Sequence, residues 1–215
     1  MTRPETSRPE TSRSDGGRPS AAERREEILR IAMETFATRG YHNASLAEIA
    51  ERSGLTQAGV LHHFRSKAGL LTGVLDLRDQ SDLAQLAQLG EERPRGLAFL
   101  AHLVETARRN AEREGIVRLY AVLSAESVTS GHPAQEYFRA RYAGLRAMVV
   151  EAIGEAADAG EVPAGLDPRA AASAVLAVMD GLRVQWLLAP EAVDMAATTD
   201  LVIGALLGRP VPGGG

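Results

Sequence analysis

The sequence predicts an all-α fold of about nine helices, and three observations carry that prediction. Apolar residues recur at three- and four-residue steps through most of the chain. No stretch sustains the period-two alternation of a half-buried strand. Helix-start residues such as Ser, Thr and Pro, and helix-stop glycines, punctuate the apolar runs at helix-length intervals. With 215 residues and 45% apolar side chains the chain is long enough to bury a sizeable core.

In AAERREEILRIAMETFATRG, residues Ile28, Ile31, Ala32, Thr35 and Phe36 form one stripe, with Glu and Arg on the other side and Gly40 as the end. Ser45 with Glu48 reads as a capping box opening LAEIAERS, which Gly54 stops after two turns. Thr56 caps a third short helix through Phe64, and Ser66 caps a fourth running through LLTGVLDL. Longer helices follow: Pro94 to about Glu112; IVRLYAVLSAES, separated from it by Gly115; a helix opened by GHP at 131–133 and reaching Ala159; then 168–189 and 191–208. Residues 1–19, which repeat RPETS and are rich in Pro, Ser, Gly and charge, are expected to be a disordered tail. The division expected is that tail, a head at 20–66, a larger helical domain at 67–208 and a flexible C-terminus at 209–215.

Composition narrows the function. The absence of cysteine removes disulfides and thiolate chemistry and fits a reducing cytoplasm. The first residues hold no secretory signal, and no segment is expected to span a bilayer. The net charge of −4 conceals an asymmetry. Residues 18–71 carry eight basic against six acidic groups, whereas 72–215 carry 13 against 19. Contact with a polyanion therefore belongs to the N-terminal third.

Two short helices joined by a Gly-containing turn form the helix-turn-helix pattern. Ala47, Ala50 and Gly54 allow a close crossing, and Ile49, Leu55 and Val60 fill the space between. Gln57, Ala58 and Gly59 occupy the first turn of the second helix, where recognition side chains reach base edges. Val60 and Phe64, four apart, face the core. The adjacent His62 and His63 diverge by about 100° on a helix and cannot share one ion. Neither has an acidic orienter nearby, so no metal and no catalytic pair are expected, and no cofactor is called for. One histidine is left to face outward and one to sit partly buried.

Residues 21–71 resemble the DNA-binding domain of TetR-family transcriptional regulators, through the skeleton F…RGY…S…IA…G…HF.SK..L. The resemblance implies double-stranded operator DNA as partner, with Ser45 and Thr56 bonding phosphates and Gln57 and Ala58 approaching bases or backbone. It also implies His62 at the phosphate backbone, His63 as the family's common His before Phe64, and Lys67 near a phosphate. Leu61 stands where Tyr is frequent, which removes a phenolic donor. Arg65 replaces a frequent Pro and, by its position, offers a cation in return.

The last two helices are apolar round most of their circumference and so require partners. A homodimer through 168–189 and 191–208 is expected, as the resemblance also implies. A small-molecule effector is expected among the middle helices, with His102, Tyr120, Glu126, Tyr137 and Trp186 as pocket candidates. The expected function is a repressor released from a palindromic operator by that effector. The competing reading is a helical metal-binding or enzymatic bundle using His102 and Glu105, which stand three residues apart on one helix.

Overall fold

Ser20 opens the first helix with a reciprocal cap. Its hydroxyl accepts the amide of Glu23 at 3.2 Å while the Glu23 carboxylate accepts the amide of Ser20 at 2.7 Å. The computed structural model describes residues 20–87 and 94–208. The tail expected at 1–19 and the C-terminus at 209–215 lie outside the described residues. Among those described there are nine helices and no strand: α1 Ala21–Asn43, α2 Leu46–Arg52, α3 Gln57–Phe64, α4 Lys67–Ala87, α5 Gly96–Asn110, α6 Glu114–Glu126, α7 Gln135–Asp158, α8 Pro168–Leu188 and α9 Met195–Leu207.

The stripe expected on α1 is buried, with Ile28, Ala32, Thr35 and Phe36 fully sealed. Thr35 satisfies its hydroxyl internally by donating to the carbonyl of Ile31 at 2.8 Å. Gly40 ends only the straight part of the helix. At φ 70° and ψ 175° it kinks the chain, and one more turn continues to Asn43.

The capping box expected at Ser45 and Glu48 is absent. Ser45 Oγ accepts the amide of Ala47 at 3.1 Å, and Glu48 turns to Arg39 at 3.7 Å, a pairing between helices that wins over the local one. Ala47, expected at the helix crossing, is exposed, and Ile49, Ala50 and Val60 make the buried contact. Gly54 at φ 65° supplies the turn. Gly115, expected between helices, sits in the first turn of α6, where a helix tolerates glycine best. The last helix starts at Met195 instead of 191 because Asp194 caps it, accepting the amide of Ala197 at 2.8 Å.

Two cores organise the molecule. The first gathers α1 to α4 around Phe36 and Ile49 and draws in Leu119, Tyr120 and Leu123 of α6 with Phe138 of α7. The second packs α5, α7, α8 and α9 around Leu100, Val104, Ile153, Ala172 and Ile203. Helix α6 is thus the wall that the head rests on. By length and apolar composition alone α8 would suffice to cross a membrane. Here its Ala172, Val175, Met179 and Leu182 enter the second core, and its Asp180 pairs with Arg183 at 3.0 Å and accepts the Tyr142 hydroxyl at 2.7 Å. One side of it thus belongs to the second core, and its polar network is half-buried.

Candidate nucleic-acid interface

The site is built from α3 outward. Val60 and Phe64 are buried, and Phe64 is covered by the Arg25 guanidinium at 4.9 Å from its ring centre. That anchoring turns the opposite side of the helix to solvent: Thr56, Gln57, Ala58 and His62 are exposed, with Gly59 half-buried beneath them. Thr56 Oγ1 accepts the amide of Gly59 at 3.1 Å. Accepting that bond leaves the hydroxyl proton of Thr56 free to donate, and the same holds for Ser45 at the start of α2. Both helix N-termini also present unpaired backbone N–H groups.

His62 is exposed and His63 half-buried, with ring centroids 5.7 Å apart at 77°. His63 leans toward Phe64, 6.3 Å between centroids. The outward and inward division expected from helical geometry is what the fold contains. Lys67 lies at the start of α4. Its Nζ donates to the carbonyl of His42 at 3.1 Å and stands 4.7 Å from the Tyr41 ring centre. Burial lowers its pKa from the ordinary lysine value, opposed by the charge of Glu126.

Between α3 and α4 the chain turns on Arg65, at φ 63° and ψ −35°, the one non-glycine residue at positive φ among the described residues. The amide of Ser66 bonds the carbonyl of Phe64 at 2.7 Å, closing a positive-φ γ-turn, a strained form. Arg65→Gly should therefore stabilise the fold by about 1 kcal/mol. A thermal midpoint raised by about 2–4 °C would register it; an unchanged or lower midpoint would show the turn to be unstrained. No residue type around Arg65 announces this turn.

The same holds for the joint above it. Tyr41 donates its amide to Glu126 Oε2 at 2.7 Å. The Tyr41 ring meets His132 edge-on at 5.1 Å, and His132 also meets His42 at 5.4 Å. His132 is buried, its Nδ1 accepting the amide of Ala134 at 3.2 Å and its Nε2 3.7 Å from Glu126 Oε2. Burial lowers the His132 pKa, with the Glu126 charge opposing and His42 adding to the fall. The folded state then binds fewer protons than the unfolded one below the ordinary histidine pKa of about 6.5. Stability is full above that pH and declines as pH falls below it. The thermal midpoint should drop from pH 7.5 to 5.5, and the drop should shrink in His132→Asn, whose carbonyl can replace Nδ1 as acceptor. Equal drops in both proteins would remove His132 as the source.

The five pocket candidates separate. Tyr120 and Tyr137 touch through their hydroxyls at 3.1 Å, and Tyr137 donates to Asp79 of α4 at 2.7 Å. Burial pushes the Tyr137 pKa well above the usual phenol value. Glu126 faces α1 at the joint just described. Trp186 lines an open groove of about 870 Å³ with Val104, Ala107, Met195, Asp200 and Leu201, between α5, α8 and α9. His102 is half-buried on α5, its pKa lowered by burial and by Arg109, with Glu105 acting in the other direction.

Glu105 does not make a metal site with it. Its carboxylate accepts from Arg109 at 2.9 Å and Arg108 at 2.6 Å, which hold its pKa below the usual range. Among the described residues no group of three or more His, Cys, Asp or Glu is placed to hold an ion. The metal-binding or enzymatic bundle is therefore not supported.

Comparison with known proteins bears on the same residues. The family described as "Bacterial regulatory proteins, tetR family" matches residues 28–74, and "BetI-type transcriptional repressor, C-terminal" matches 97–207. The transcriptional regulator TtgR of Pseudomonas putida is 30% identical over 184 residues, covering 81% of this chain and 85% of that protein. Among solved structures, SmeT in complex with triclosan aligns with a TM-score of 0.70 at 21% identity, covering 89% of this chain and 94% of that one. SmeT is the repressor of a Stenotrophomonas maltophilia multidrug efflux pump. FadR of Bacillus subtilis, bound to stearoyl-CoA, aligns with a TM-score of 0.69 at 18% identity, covering 85% and 97%. With both halves of the chain matched in order and the reading helix set out as above, this protein belongs to the TetR family: it is a helix-turn-helix, DNA-binding transcriptional regulator, and not an enzyme.

Proposed function

We propose that the chain is a cytoplasmic, homodimeric repressor that leaves a palindromic operator when a small molecule binds its larger domain. The observation that carries this reading is the exposed first turn of α3, held outward by buried Val60 and Phe64. In it, the hydroxyls of Ser45 and Thr56 donate to phosphates, with Lys67 adding charge nearby. Gln57, Ala58 and Gly59 lie along base edges, Gln57 pairing best with adenine. His62 approaches the backbone, and His63 supports the helix from inside.

Dimerisation is supported by α8 and α9, which leave Val184, Leu188 and Leu201 exposed at 49%, 82% and 70%. A second copy covering the 168–189 and 191–208 region would give the two-fold axis that a palindrome requires. The effector reading draws on the groove beside Trp186, the polar Tyr120 and Tyr137 pair, half-buried His102, and the small molecules bound to the solved relatives FadR and SmeT. An effector lowers operator affinity only if it binds the DNA-competent arrangement less well than the other.

Selection of bound fragments from genomic DNA tests the reading directly. The expected product is an inverted repeat with half-site centres about one helical turn apart, bound with affinity that falls steeply with salt. A Gln57→Ala, His62→Ala double variant should weaken that binding by about 10- to 100-fold, the loss expected for one good base contact and one phosphate contact. Undiminished binding by the double variant would place the reading head elsewhere. Sedimentation should give twice the 22.9 kDa chain mass for the parent and a single mass for Leu188→Glu, Leu201→Glu.

A further inference from the structure

We propose that Glu126, at the last residue of α6, is the positioning residue that sets the angle of the DNA-binding head on the core; the affinity part of its test rests on the repressor reading above. Glu126 is half-buried and 85 residues from its partner, yet its Oε2 accepts the amide of Tyr41 at 2.7 Å. Gly40 makes room for it. A Cβ built at Gly40 would fall within contact range of both carboxylate oxygens and 2.8 Å from Glu126 Cδ.

Two phosphate-directed groups hang from the turn that Glu126 grips. Ser45 caps α2 two residues after the turn ends. Lys67 is tied to it twice, by the bond to the His42 carbonyl and by its position over the Tyr41 ring. On the other side, α6 carries Tyr120 six residues earlier, about 9 Å along the axis. Tyr120 is bonded through Tyr137 to Asp79 of α4. A shift of α6 in the core thus reaches Tyr41 through one rigid helix and one charged hydrogen bond. Losing that bond frees the 41–43 turn, and with it both Ser45 and Lys67.

The chain contains no cysteine, which permits clean labelling. Spin labels at Glu51→Cys on exposed α2 and Arg146→Cys on exposed α7 report the head-to-core distance, with labelled chain diluted into unlabelled chain. The parent should give one narrow distribution. Glu126→Gln, which keeps an acceptor oxygen in place, should keep it narrow and hold operator affinity within about threefold. Glu126→Ala should broaden it and raise the operator Kd by about tenfold, with unchanged helix content. If Glu126→Ala does not fold, Glu126→Asp, which withdraws the carboxylate by one methylene, is expected to broaden the distribution in its place. A narrow distribution with parental affinity in Glu126→Ala would overturn the proposal. So would a Gln variant as disordered as the Ala variant. The distances need no DNA, so a chain that selects no operator would defeat the repressor reading and leave this test standing.

Discussion

Ala58→Glu is expected to raise the operator Kd about 100-fold while leaving the protein as stable as the parent or slightly more so. Ala58 is exposed in the first turn of α3, whose buried residues are Val60 and Phe64. A carboxylate there complements the positive N-terminal end of the helix, a gain of about 0.3–1 kcal/mol. Against DNA the same charge meets the phosphates of the groove wall, where a like charge a few ångströms away costs about 1–4 kcal/mol according to the local dielectric. The two effects have opposite signs, which makes the variant diagnostic. Anisotropy with the selected operator measures the repulsion and thermal melting the gain in stability. Parental affinity in Ala58→Glu would mean that α3 does not enter the groove by its first turn.

The second large effect is expected at Gly40. Its φ of 70° with ψ of 175° lies in a region that only glycine occupies readily. An alanine there costs about 1–3 kcal/mol in backbone strain. Its Cβ also displaces the Glu126 carboxylate, with loss of the charged hydrogen bond to Tyr41, a further cost of about 1.5–3 kcal/mol. The thermal midpoint of Gly40→Ala should fall by about 6–15 °C for a chain of this size. Glu126→Ala added to it should cost much less than it does alone, because the two changes break one contact. Full additivity would show that Gly40 serves the kink alone.

Much of the reading head was legible because its rules are local. A capping hydroxyl at Thr56, a turn glycine at Gly54 and apolar residues four apart at Val60 and Phe64 act within one or two helical turns. The same locality failed where a distant charge competed. Glu48 left the predicted box for Arg39, while the real box at Ser20 and Glu23, with no such competitor, went unread. Candidates chosen for the pocket by residue type fared unevenly for the same reason. Tyr120 and Tyr137 do meet, but Glu126 turns its carboxylate out of the core and onto α1. Nothing within several residues of Glu126 carries that information.

By itself the sequence determined the helices, the buried stripe of α1, the turn that aims α3 outward and the divergent orientations of His62 and His63. Each follows from the 100° step of a helix and from caps that act over three residues. Only the tertiary structure decided that α6 is the platform for the head and that Lys67 is bound to the joint before any DNA arrives. Those facts depend on which groups separated by tens of residues come into contact. Hydrogen bonds and ion pairs of that range are selected by packing, after the local pattern has already fixed the helices.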